Sequence, residues 1–172
     1  MVARSKYLSW KNKAMNIPVK KIIPINPVNF AKFGQVVALP REKPTAEGES
    51  FKFWANIANY QINGKTEIGL CTVTLPPGNR INSLERHLHT PEILIPIDAP
   101  FALPLLIEGK PEENLEIFRV NVGEAVVINP GVWHGACIPL EKSEATYFVI
   151  FCYQTFQKDI EKKSINDIEI LI

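Results

Sequence analysis

The segment "GEAVVINPGVWH", Gly123 to His134, decides how this chain folds. A short apolar run, Ala125 to Ile128, reads as a buried strand. Asn129-Pro130-Gly131 then imposes a turn, since proline fixes φ and glycine accepts conformations closed to other residues. A Trp-His pair follows at once. The same unit, a brief apolar run stopped by proline or glycine, recurs along the chain in "TEIGLCTVTL", "EILIPI", "FALPLLI", "LEIFRVNV" and "ATYFVIFCYQ". The 14 prolines and nine glycines are scattered rather than clustered, so they act as punctuation and not as a linker. Seven or more short strands with frequent turns specify an all-β sandwich or jelly-roll barrel.

Outward from that segment, "VKKIIPI" reads as a strand. Asn26 is placed to cap a short helix with Pro27 at its first position and Gly34 at its end. "PREKPTAEGES" is polar and is expected as a surface loop. "FKFWANIANYQI" is aromatic-rich and reads as one or two strands. The final stretch, "KDIEKKSINDIEILI", has mixed charge and is expected as a short helix or an edge segment. The first residues, "MVARSKYLSWKNKAM", are basic and lack an apolar signal region. They are expected as a flexible tail over 1–14, leaving a single domain over 15–172.

Composition removes several functions. A formal net charge of +1 offers no field for nucleic acid or an anionic membrane. No apolar run approaches a membrane span. Cys71, Cys137 and Cys152 are odd in number and contain no CxxC pair. They are expected as buried thiols in a reducing, cytoplasmic setting rather than as a disulfide framework or a zinc site. The remaining partners are a small-molecule substrate and a second copy of the chain, as a homodimer.

All three histidines fall in two motifs, "SLERHLHTPEILIP" (Ser83 to Pro96) and "INPGVWHGACIP" (Ile128 to Pro139). Alternation along an extended "LERHLH" puts Glu85, His87 and His89 on one face and Arg86 on the other. Three polar ligand-type groups on one face need a common partner, which a wet pocket or a metal ion supplies. The pattern resembles the cupin family, with His87 and His89 as its His-x-His pair, Glu92 near its acid and His134 as its last ligand. That resemblance implies a double-stranded β-helix barrel, with one or two short helices, binding Ni, Mn, Fe or Zn. Glu92 faces inward only if Pro91 or a bulge breaks the strand, because only Thr90 and Pro91 separate it from His89.

"LERH", "IPI", "VNVGEAVVINPGVWH" and "CIPL", with the earlier "VNFAKFGQVV", resemble the ureidoglycolate lyase family more closely. The resemblance implies release of glyoxylate and urea from ureidoglycolate, in allantoin and purine catabolism, by an amidine-type C–N lyase without an organic cofactor. Set to that reaction, Glu85, His87 and His134 are the candidate catalytic residues, while His87, His89, Glu92 and His134 are the metal ligands that the cupin pattern implies, His89 and Glu92 being departures from the lyase family. A cation must also grip the substrate carboxylate. Arg86 lies on the wrong parity, so Arg80 is its rival, and Trp133 is a candidate pocket wall. The residues alone also fit another metal-dependent cupin enzyme, such as a dioxygenase or sugar isomerase, or a non-catalytic ligand-binding barrel.

Overall fold

The computed structural model describes residues 17–172, so the tail expected over 1–14 lies outside the described residues. In chain order the elements are β1 (Val19–Pro24), α1 (Pro27–Phe30), β2 (Gly34–Val37), β3 (Ala46–Glu47), β4 (Lys52–Phe53) and β5 (Thr66–Thr74). They continue with β6 (Arg80–Arg86), β7 (Glu92–Pro96), β8 (Phe101–Leu106), β9 (Glu116–Val120) and β10 (Ala125–Ile128). The last are β11 (Trp133–His134), β12 (Ile138–Pro139), β13 (Glu144–Cys152), α2 (Thr155–Lys158) and β14 (Glu161–Leu171).

One sheet runs β11-β6-β14-β1-β9-β8-β12, and β11 also pairs with β8, so six of these strands close into a ring. The other sheet runs β2-β10-β7-β13-β5. The two face each other as a jelly-roll sandwich, the class the strand pattern specified. Strands β8 and β9 are buried on both faces. Leu103, Leu105, Phe118 and Val120 enter the core between the sheets, while Ala102, Leu106 and Ile117 enter a second core within the ring.

The chain start follows its local signals. Asn26 accepts from the Val28 and Asn29 N–H groups, and the Asn29 side chain accepts from the Asn26 N–H. The helix ends at Phe30, earlier than Gly34. Gly34 instead opens β2, where a Cβ would lie 1.8 Å from the Val127 carbonyl oxygen. Phe30 and Phe33 pack edge-on against Phe118 at 5.4 and 5.5 Å, sealing this end of the inter-sheet core.

Two expectations are corrected. "FKFWANIANYQI" forms only the two-residue β4; the rest is irregular. Side chains satisfy its backbone in place of a ladder: Gln35 bonds Asn59 at both its N–H and its carbonyl. The C-terminal stretch is neither helix nor edge. β14 pairs with β6 on one side and β1 on the other. Its buried residues, Ile165, Ile168 and Ile170, break strict alternation because a bulge lies between Ser164 and Ile168. The three thiols are free; Cys137 is buried and Cys71 and Cys152 are half-buried. No helix among the described residues is long and apolar enough to cross a membrane.

Candidate active site

Glu85 on β6 stands directly opposite His134 on β11. Directly opposed residues share a face of a sheet. His134 is also opposite Leu105, a member of the inter-sheet core, so that face is the barrel interior. His87 follows the end of β6 by one residue, and its ring centroid lies 5.2 Å from that of His134. Ligand atoms of Glu85, His87 and His134 all fall within 4.8 Å of one another.

Glu92 joins them. The chain bends over 88–90 before β7 begins, which resets the alternation at Pro91. Glu92 then shares the inward parity of Leu94. Its Oε2 lies 3.1 Å from His134 Nε2, and its Oε1 lies 3.7 Å from His87 Nε2. The space between these groups is too tight to admit a water molecule and is lined by His87, Thr90, Glu92, Ile128, Asn129, Val132 and His134. A wider groove of about 1120 Å³ lies beside α1 and β2. Of its charged residues, Arg41, Glu42 and Lys43 sit on an exposed loop and Glu124 in the turn before β10, and it lacks a convergent set of buried ionisable groups.

The backbone fixes how both imidazoles present their nitrogens. His87 Nδ1 lies 2.6 Å from the Asp159 carbonyl oxygen, and His134 Nδ1 lies 3.3 Å from that of Val132. A carbonyl only accepts, so Nδ1 of each ring carries a proton and Nε2 of each points into the cluster. Burial pulls the His87 imidazole down. The Glu92 carboxylate 3.7 Å away, with the Asp159 carbonyl and Glu85, outweighs it and holds the group above its ordinary value. Burial pushes the Glu92 carboxyl up, but the His134 charge and the nearby His87 ring bring it below its usual value. Glu92 Oε2 and His134 Nε2 are buried and have no hydrogen-bond partner. Facing at 3.1 Å, these two atoms need either a proton on the imidazole nitrogen or a cation between them.

Sequence-expected residues outside the cluster are equally clear. His89 leaves the His87 face because the bend interrupts the strand. Its side chain is 82% exposed and bonds Asp159 at 2.9 Å. Arg86 lies on the opposite face, over the Trp133 ring at 4.4 Å, with Glu108 and Glu161 each at 2.7 Å. Trp133 belongs to the ring core and donates its indole N–H to Glu108, so it does not wall the cluster. Arg80 starts β6, pairing with Glu169 at 3.5 Å. Asp159 escaped sequence reasoning: it touches His87 from 72 residues away, and nothing local in "KDIEKK" marks it.

A jelly-roll barrel with two imidazoles and two carboxylates converging on its interior defines a cupin-like protein. A family model described as ureidoglycolate lyase matches residues 18–171, and the chain belongs to the ureidoglycolate lyase family. Comparison with curated proteins returns no match. Among solved structures the chain is similar to a dTDP sugar isomerase of Desulfovibrio desulfuricans G20, at 17% identity and TM-score 0.48, covering 76% of this chain and 83% of that one. It is also similar to an oxalate decarboxylase of Bacillus subtilis described with Mn(II) centres, at 14% identity and TM-score 0.42, covering 59% of this chain. The match spans only 24% of that decarboxylase chain.

Proposed function

We propose that the protein cleaves the C–N bond of ureidoglycolate, releasing glyoxylate and urea, and that Glu85 moves the protons. The observation that carries this reading is the position of Glu85. Its side chain is 35% exposed, whereas the imidazoles are sealed (6%), so it meets an entering molecule while remaining beside them. The carbon to be cleaved bears both a hydroxyl and the ureido nitrogen. Glu85 removes the hydroxyl proton, the O–H electrons form the aldehyde C=O, and the C–N pair leaves with nitrogen. Nitrogen and oxygen share one carbon, so the carboxylic acid just formed returns its proton to the leaving urea. No net proton is taken up, and one carboxyl serves as base and then acid.

His87, His134 and Glu92 fit a divalent ion. Bonds of about 2.0–2.2 Å put neighbouring donors about 3–3.5 Å apart, close to the 3.1 and 3.7 Å between these atoms. The unpartnered Glu92 and His134 atoms would face it. When bound, such an ion supplies a charge that lowers the hydroxyl pKa. The carbonyls of Asp159 and Val132 hold the two rings in the orientation that ligation requires.

Glyoxylate release from ureidoglycolate by the purified protein is the test. Glu85→Gln should lower kcat by about 10²–10⁴-fold with KM little changed. Wild-type turnover in that variant would overturn the role of Glu85. Elemental analysis should find about one divalent ion per chain, lost in His134→Ala. A metal-free protein with full turnover would remove the ion and leave the lyase.

A further inference from the structure

One row of residues crosses the sheet from the core to the surface. Lys162 on β14 stands opposite Glu85, Glu85 opposite His134, and His134 opposite Leu105. All four side chains therefore share the face that holds the cluster. Their exposure rises in order: Leu105 is fully buried, His134 buried, Glu85 partly exposed and Lys162 exposed. The neighbours of Lys162 are committed to the other face, Glu161 to Arg86 and Lys163 over the Trp133 ring at 5.8 Å. Lys162 takes part in no ion pair among the described residues.

The two arginines considered for the carboxylate are occupied elsewhere. Arg86 lies behind the sheet. Arg80 is five residues from Glu85 along β6, about 16 Å at the rise of a strand, and pairs with Glu169. Directly opposed side chains begin about 4.5–5.5 Å apart, so the flexible Lys162 stem reaches the space above Glu85.

We propose that Lys162 binds the substrate carboxylate and makes the site selective for substrates that carry one. The inference rests on the lyase reading for its substrate. In ureidoglycolate the carboxylate is one bond from the carbon being cleaved. With that carbon over Glu85 and His134, a carboxylate turned toward solvent meets the ammonium of Lys162. Lysine suits this position because its charge stands on a flexible stem at a wet mouth.

The experiment compares Lys162→Gln and Lys162→Arg with wild type, using ureidoglycolate for turnover and glycolate as a non-reacting carboxylate in calorimetric titration. Lys162→Gln should raise KM and weaken glycolate about 10- to 100-fold, the range of a charge-assisted hydrogen bond, while kcat changes less than about threefold. Lys162→Arg should recover most of both, which a merely structural role would not produce. Unchanged KM and glycolate affinity in Lys162→Gln would overturn the proposal and leave the lyase standing. If wild type does not turn over ureidoglycolate, the functional reading falls and the titration still decides: tighter binding of glycolate by wild type than by Lys162→Gln supports the lysine, and equal or absent binding overturns it.

Discussion

Asp159 does two jobs with one residue. Its carboxylate accepts the Leu88 and His89 N–H groups and contacts His89 Nδ1, each at 2.9 Å, which pins the bend after β6. Its own carbonyl accepts from His87. The bend that removes His89 from the pocket and turns Glu92 inward is thus fastened by a residue far along the chain. Burial pushes the Asp159 carboxyl up, but the two N–H bonds and His89 pull it below its ordinary value. A carboxyl lowered on folding contributes stability that is fully present above the unfolded value of about 3.9. That contribution is lost as pH falls through the lower folded value. Asp159→Asn should therefore cost about 1–2 kcal/mol at neutral pH. The gap between the urea midpoints of wild type and variant should close in acid. A gap that stays constant from pH 7 to pH 3 would show that the charge of Asp159 is not what fastens the bend.

At the level of strands, the two sequence motifs divide by parity. Glu85 and His134 face the cluster, while Arg86 and Trp133 face the other way and hold each other there. Arg86 lies over the Trp133 ring, and Glu108 accepts from both. The clamp ties β6 to β11 at the point where Glu85 and His134 are opposed. Its carboxylates are largely exposed, so the ion pairs alone contribute little; the shielded Arg86 stem and its ring contact contribute more. Arg86→Ala should cost about 1–2 kcal/mol, lowering Tm by about 3–6 °C, with KM close to wild type. Lys162→Gln should do the reverse, altering KM with Tm unchanged. An Arg86→Ala protein that keeps its Tm but loses substrate affinity would return Arg86 to the pocket.

Over the whole molecule, the fold was legible because punctuation by proline and glycine is local, and so is the apolar character of β7, β8, β10 and β13. Glu85 and His87 were legible because period-two alternation put them on one face, and His134 because its distance from the Asn-Pro-Gly turn resembles a known motif. Inward placement of Glu92 needed the clamp from Asp159, and the role of Lys162 needed the pairing of β14 with β6; both are long-range. β14 itself was hidden because its bulge spaces the buried isoleucines unevenly. Yet that strand closes the ring, and its Ile168 packs in the same core as Ala102, Leu106 and Ile117. β8 and β9 line both cores, so neither core can melt while the other keeps its walls. Ile168→Ala should cost about 2–5 kcal/mol, as large-to-small changes in a sealed core do. Calorimetry should show the entire transition moving down as one peak, and hydrogen exchange should slow or quicken together in β14 and β8. A second, earlier transition confined to β14 would mean that the ring core folds independently of the barrel that carries the site.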